Sequence, residues 1–545
     1  MVRWILALAV TCLLATASYA DSDRYWIFFR DKGIVPGLEQ RALDDAMNLI
    51  SERSIARRLK NGAPVSSYGD VPINSVYADH VRQTGAIVRS ESKWLNAVSI
   101  AATPAQLEAI QSLPFVCNIR RFSQRLALDQ PDRVQSASLD STEYGNSFRQ
   151  NQICRIPELH ARGLSGNGVL LCMLDTGFFT EHVSLSGLSY LAMRDFIFGD
   201  SIVHNEPGQD SSGQHLHGTA VLSAAGGLDS NNIIGPAYGA TWMLAKTEYT
   251  PTETEVEEDY YVAGLEWADS AGADITTSSL GYIDWYTQSQ MDGRTTVVAR
   301  AVVEAQRRGI LVVTAQGNEG LSEWGTVISP ADADSILAVG GVDSLSLLWP
   351  SSSPGPTADG RIKPDCAAQA AATWCAAVFG DDTYWRLSGT SLATPIIAGV
   401  AALVMEANPD WTAQQVREAI MATASQSNSP DNILGYGIAD AVAAADYQFS
   451  AVSTREVIPS TLSLTAYPNP VNGQVSITLD IERAQSGKLI LFDLLGRKIA
   501  TLQKHEFSVG TTTLSHNLDG FASGKYFLSF IGSTESKTIP IILLK

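Results

Sequence analysis

Gly389-Thr390-Ser391-Leu392-Ala393-Thr394-Pro395 is the stretch that decides how this chain is read. A serine stands among small residues, and a long apolar run with helical character follows over residues 396–407. Ser391 is therefore expected at a helix N-terminus, where backbone N–H groups are unpaired and the positive dipole end faces outward. An anion developing beside its hydroxyl would be stabilised there. Upstream, Val169-Leu170-Leu171-Cys172-Met173-Leu174 reads as a fully buried strand, ending on Asp175-Thr176-Gly177, an acid and a turn glycine. His217-Gly218-Thr219-Ala220-Val221 opens a small-residue helix that runs to Gly226-Gly227.

An acid, a histidine and a serine suit nucleophilic catalysis. A serine hydroxyl is a poor nucleophile until an adjacent base takes its proton. His217 would be that base, and then the acid that protonates a leaving amine. Asp175 would hold the imidazole in the right tautomer and stabilise its cation. Groups so far apart in the chain can meet only if several strand ends converge on one edge of a sheet.

These motifs resemble those of the subtilisin-like serine proteases (subtilases), whose chain order is also Asp, His, Ser. The resemblance is strongest from Gly163 to Asp446 and implies a secreted endopeptidase acting on protein or peptide substrates. It extends to Thr314-Ala315-Gln316-Gly317-Asn318-Glu319-Gly320, after the apolar strand Gly309-Ile310-Leu311-Val312-Val313. By that likeness the Asn318 side chain completes an oxyanion hole beside the serine backbone N–H. Ser279-Leu280-Gly281, after the strand-like residues 273–277, resembles the family's substrate-binding edge, where an extended peptide pairs through its backbone. Lys363-Pro364-Asp365 resembles the run upstream of the nucleophile, with Ala367-Ala368-Gln369 in place of the usual small-Pro-Gly continuation. Ala220 replaces a common second histidine, and Gln316 stands where many members have a small residue near the specificity pocket. His215 lacks the Gly-Thr that follows His217 and is assigned a surface role.

The 545 residues suggest three or four domains, and 45% hydrophobic content is ample for sizeable cores. A net charge of −19 argues against nucleic acid or an anionic membrane as partner. The acids Glu253, Glu255, Glu257, Glu258 and Asp259 are expected in an exposed loop. Arg3, the apolar residues 4–17 and Ser18-Tyr19-Ala20 read as a signal peptide over residues 1–20, too short for a membrane span. No later segment approaches 18 uninterrupted apolar residues, so no membrane span is expected. Outside that leader five cysteines remain; Cys172 reads as a core residue, and Cys366 with Cys375 could close a short loop. Asp195, Asp200 and Asp210 could bind calcium, as in many relatives, but lack a coordination-loop spacing, so no metal or cofactor is assigned.

The expected architecture is α/β: a subtilisin-like parallel sheet with helices on both faces. An α+β propeptide precedes it and a small β-sandwich follows. Residues 21–145 form the propeptide, with strands at 25–29, 94–100 and 116–122 and helices at 38–59 and 103–113. Its β-α-β spacing resembles subtilase propeptides, which act as folding assistants and inhibitors. Residues 130–144 suit an exposed linker that a protease could cut. Residues 150–447 are the catalytic domain, 448–460 a linker and 461–545 the sandwich, with strands at 475–479, 488–492, 525–530 and 538–544. Tyr467-Pro468-Asn469-Pro470, Leu495-Gly496-Arg497, Gly524-Lys525-Tyr526 and Lys545 resemble the C-terminal sorting domains of type IX secretion substrates. That likeness implies the secretion machinery as a partner, and export through the periplasm to the surface or medium. Two other readings stay open: a catalytically silent subtilase fold acting in adhesion or inhibition, and an active protease whose tail is a substrate-binding module.

Overall fold

In the computed structural model, the residues described are 23–121, 124–125, 143–449, and 463–544 other than 468, 470, 482–484, 493–497, 508–509 and 533–535. The expected leader, most of the cuttable linker at 130–144 and most of the linker at 448–460 lie outside them. The chain divides into two compact units, 1–447 and 448–545.

The larger unit is built on a seven-stranded sheet. Its order is Cys366–Gln369, Leu337–Val342, Leu311–Ala315, Ile275–Ser278, Leu170–Asp175, Thr241–Lys246, Ser189–Asp195. Every neighbouring pair is parallel. The Leu170–Asp175 strand is buried along its whole length, as its unbroken apolar run requires. Leu170, Cys172 and Leu174 pack with the helices Val256–Ala271 and Val297–Arg307 on one face. On the other face lie the helices Leu216–Gly226 and Thr390–Ala407, packed along each other. Thr390–Ala407 is long and apolar enough to cross a membrane, but 83% of it is buried as the central core helix.

A four-stranded antiparallel sheet of the N-terminal segment covers the first pair of helices. Its order is Ile87–Ser92, Ala97–Ala102, Asp23–Phe29, Val116–Arg121. The Asp23–Phe29 strand uses both of its faces. Tyr25, Ile27 and Phe29 point into this layer's own core, while Trp26 and Phe28 join the core of the larger sheet. Glu266 accepts hydrogen bonds from Ser92 Oγ at 2.7 Å and Trp94 N at 3.1 Å across the same seam.

The helix expected at residues 38–59 is two helices, Glu39–Met47 and Glu52–Lys60. Ser51 makes the break: its hydroxyl caps the second helix by accepting from Ser54 N at 3.1 Å. Its own N–H donates to Ser270 O at 2.8 Å. The second helix then delivers two arginines to a buried ionic cluster. Arg58 meets Asp70 at 2.8 Å and Asp269 at 2.6 Å, Arg57 pairs with Asp269, and Arg308 reaches Asp70 at 3.2 Å. Against the cost of burial, Arg58 and Arg308 hold the Asp70 carboxyl well below the usual carboxylate range.

The smaller unit has two antiparallel sheets. One holds Ser463–Tyr467, Gln474–Ile481 and Gly510–Asn517; the other holds Lys498–Phe507, Gln485–Phe492, Gly524–Gly532 and Ser536–Leu543. Val475, Ile477 and Leu479 from the first meet Leu489, Leu528 and Phe530 from the second in one core, which makes a small sandwich. The sequence reading did not name Ser463–Tyr467, Lys498–Phe507 or Gly510–Asn517. The last two are dominated by Lys, Thr and other polar residues and carry too few apolar residues for a clear alternation.

The five cysteines of the described residues are free thiols, and Cys366 and Cys375 are both fully buried without closing a bridge.

The ionic cluster gives a stability prediction. Asp269→Ala leaves Arg57 and Arg58 buried and underpaired, at a cost of about 3–5 kcal/mol. Urea unfolding of the full chain measures it. A loss below about 1 kcal/mol would mean that water or rearrangement satisfies the arginines.

Candidate active site

Three neighbouring strands, Leu311–Ala315, Ile275–Ser278 and Leu170–Asp175, deliver their carboxyl ends to one edge of the sheet. Immediately beyond those ends stand Asn318 and Ser279, with Asp175 closing its own strand. Two helices begin at the same edge, with His217 and Ser391 each second in its helix.

Asp175 is fully buried and accepts a hydrogen bond from His217 Nδ1 at 2.8 Å through Oδ1. The same oxygen accepts from Thr176 N at 2.7 Å, which locks the carboxylate plane. Thr176 Oγ1 in turn receives Gly218 N at 3.2 Å. A Cβ at Gly218 would lie 2.1 Å from Gly177 O, so only glycine lets this helix start against the strand end. The His217 side chain keeps 29% exposure, enough to present Nε2 outward. Burial pushes its pKa down, but the charge and hydrogen bond of Asp175 outweigh burial and leave it raised.

Ser391 lies at the predicted helix N-terminus. Its hydroxyl donates to Ser279 O at 3.4 Å, and Ser279 Oγ donates to Ser391 O at 2.8 Å. Asn318 accepts through Oδ1 from both Thr390 N and Thr390 Oγ1 at 2.9 Å. Those two donors fix the amide orientation, leaving Nδ2 turned away as a donor close to Gly389. Thr390 is thus a positioning residue that the sequence reading quoted in its motif but gave no role. Its place beside the serine was the available signal.

Leu280 is buried, and Tyr282 N donates to Ser329 O at 2.8 Å, tying the 279–282 segment to residues 328–329. Gln316 is fully buried with both side-chain amide atoms unpartnered among the described residues. Its carbonyl accepts from Ile328 N at 3.3 Å. His215 is half-buried rather than superficial: its Nδ1 accepts from Asn205 N at 3.1 Å, and burial pulls its pKa down to about 4.

The acids expected in an exposed loop are mostly interior. Glu255, Glu257, Glu258 and Asp259 are at most 3% exposed, at the start of the helix Val256–Ala271. The N-terminal layer buries them there, and acids in the first turn suit the helix dipole. The preceding residues Glu253–Thr254 pair antiparallel with Gln124–Arg125, which follow that layer in the chain. Glu248, Glu253 and Glu257 bring carboxylate oxygens within 4.8 Å of one another; burial raises the pKa of all three, helped by repulsion from the neighbouring glutamates at Glu248 and Glu257 and from Asp284 at Glu253. Of the acids considered for calcium, Asp195 and Asp210 each hold the buried Lys246 ammonium at 2.7 Å, so a protein cation already serves them. Asp200 accepts Ile202 N at 2.7 Å.

The sequence profile of the subtilase family matches residues 166–437. A peptidase S8 propeptide domain of Bacteroidota matches residues 24–138, and a secretion system C-terminal sorting domain matches residues 465–544. Subtilisin Savinase of Lederbergia lenta is 32% identical over 291 residues, covering 53% of this chain and 94% of that protein. Subtilisin E of Bacillus subtilis (strain 168) is 29% identical over 351 residues, covering 64% and 80%. An alkaline protease of Alkalihalobacillus alcalophilus is 27% identical over 444 residues, covering 81% and 96%.

The buried acids give a pH prediction. Burial drives the Glu258 carboxyl up to about 8, against the charge of Arg120 and the hydrogen bond from Tyr286. An unfolded glutamate titrates at about 4.3. The folded chain therefore binds more protons than the unfolded chain between those values, and this group's stabilising contribution is lost as pH rises through about 8. Denaturation of the full-length Ser391→Ala chain should show stability falling across that window, and Glu258→Gln should flatten the fall. An unchanged slope in the glutamine variant would remove Glu258 as its source.

Proposed function

The chain belongs to the subtilase family of serine endopeptidases, and from that premise we propose that Asp175, His217 and Ser391 hydrolyse peptide bonds through an acyl-enzyme. The observation that carries this reading is the 2.8 Å bond from His217 Nδ1 to Asp175 Oδ1. It leaves Nε2 as the free base. The Ser391 bond to Ser279 O is long at 3.4 Å and so costs little to break. The hydroxyl turns to His217, gives up its proton and attacks the substrate carbonyl. Asn318 Nδ2 and backbone N–H groups at the start of the Ser391 helix stabilise the oxyanion. Collapse expels the amine, which takes the proton from His217; water then repeats the sequence to free the acid and restore Ser391. Ser279, Leu280 and Gly281 form one edge for the extended substrate.

Residues 21–145 act as an inhibitory propeptide ahead of a catalytic domain at 150–447. The antiparallel pairing of Gln124–Arg125 with Glu253–Thr254 supports this, since it joins the N-terminal segment to the catalytic domain through extended backbone, as a bound peptide would pair. Residues 1–20 direct export to the periplasm. Residues 461–545, beyond a linker at 448–460, address the protein to the cell surface or the medium and take no part in catalysis.

A serine-reactive fluorophosphonate and peptide hydrolysis test the catalytic reading together. Ser391→Ala should lose both labelling and hydrolysis and leave the precursor joined near residues 125–150. Asn318→Ala should lower kcat by about 10²–10³, the magnitude characteristic of this donor in the family, with little change in KM. A wild-type chain that neither labels nor cleaves would instead support a silent fold used in adhesion or inhibition.

Deleting residues 462–545 should leave kcat/KM on short peptides unchanged and trap the protein in the periplasm of its host. A truncated enzyme that still reaches the medium, yet loses affinity for a large substrate, would identify the tail as a binding module.

A further inference from the structure

We propose that Ile328 sets the size of the side chain accepted on the acyl side of the scissile bond and restricts it to glycine, alanine or serine. The proposal rests on the assignment of Ser391 and Asn318 made above. For attack, the scissile carbonyl must sit between Ser391 Oγ and the Asn318 amide. Two backbone segments border that position: 279–281, whose first carbonyl is 3.4 Å from Ser391 Oγ, and 316–318, which ends on the oxyanion donor. The side chain of the residue being cut must enter between them.

Both borders are glycine where the gap would open, at Gly281 and Gly317. Such a gap bounded by glycines would ordinarily admit a large side chain. Here one branched side chain takes the space. A Cβ built on Gly281 would fall 2.0 Å from Ile328 Cδ1 and 2.7 Å from its Cγ1. A Cβ built on Gly317 would fall 2.8 Å from Ile328 Cγ2. The two branches of Ile328 therefore reach the two opposite walls. Its backbone is fixed between them as well. Ile328 N donates to Gln316 O at 3.3 Å, and the next carbonyl, Ser329 O, accepts Tyr282 N at 2.8 Å. A β-branched side chain has little χ1 freedom with which to swing clear. Ile328 is only half-buried, so part of its surface remains for an entering residue to meet.

The test uses enzyme produced from the full chain, as wild type, Ile328→Ala and Ile328→Gly. Each is titrated with the fluorophosphonate and assayed on p-nitroanilides that differ only in the acyl-side residue: Gly, Ala, Ser, Leu or Phe. Wild type should prefer Ala to Phe by at least about tenfold in kcat/KM, the scale that one or more misfitting methylenes impose in a pocket. Ile328→Gly should move the Phe/Ala ratio by about tenfold or more toward Phe, with Ile328→Ala intermediate. Should the glycine variant fail to fold, the alanine variant carries the same test with a smaller shift. Wild type that cuts after Phe as well as after Ala, or an unmoved ratio in a titratable variant, overturns the proposal while the catalytic assignment stands. No titratable serine in wild type overturns both.

Discussion

A parallel sheet buried on both faces leaves polar chemistry nowhere to go but its edges. The strand Leu170–Asp175 is wholly interior, and its neighbours are covered by helices on either side. Functional groups must then collect where strands end and helices begin. The order of strands sharpens this. Leu170–Asp175 comes first in its sheet; the chain next builds strands to one side, Ser189–Asp195 and Thr241–Lys246, then crosses to Ile275–Ser278 and beyond. A crevice opens at such a reversal. Asp175, Ser279 and Asn318 come from the three strands there, while His217 and Ser391 come from helix starts that add unpaired N–H groups.

The same edge accounts for the acids beside it. Carboxylates at the start of the helix Val256–Ala271 suit the helix dipole but not burial, and burial is what the N-terminal layer imposes. The layer compensates at its other end. There Arg57 and Arg58 meet Asp269, and Arg308 meets Asp70, so that each partner contributes both signs of charge to a fully interior cluster. The seam between the layers is therefore matched at one end and strained toward protonation at the other.

Much of this was legible in the sequence where function needs a fixed string. Asp175-Thr176-Gly177, His217-Gly218 and Gly389-Thr390-Ser391 combine a reactive group with the small residues that let backbones approach, and the 2.1 Å clearance at Gly218 gives the physical reason. Features that depend on contacts between distant segments were not legible. Nothing in the spacing of Arg57, Arg58, Asp70 and Asp269 announces a cluster, because three separate elements supply it. The charged run at 253–259 looks solvated until a second sheet is laid over it. Ser51 ended a helix that periodicity alone would have continued, since a side-chain cap and a bond to Ser270 outweigh a continuing pattern. The free thiols of Cys366 and Cys375 mark the limit of arguing pairs from short separation.

The two-faced strand Asp23–Phe29 has a consequence for the fate of the N-terminal layer. Trp26 and Phe28 are at most 9% exposed only because the enzyme core lies against them. Once the segment leaves, one side of its sheet becomes a bare aromatic surface, and a layer of this size retains only the small core of Tyr25, Ile27 and their neighbours. Such a fragment is poorly placed to persist in water, and under the proposed propeptide role its loosened strands would offer extended backbone to the peptidase. Departure and destruction would then be one event, and maturation a ratchet rather than an equilibrium.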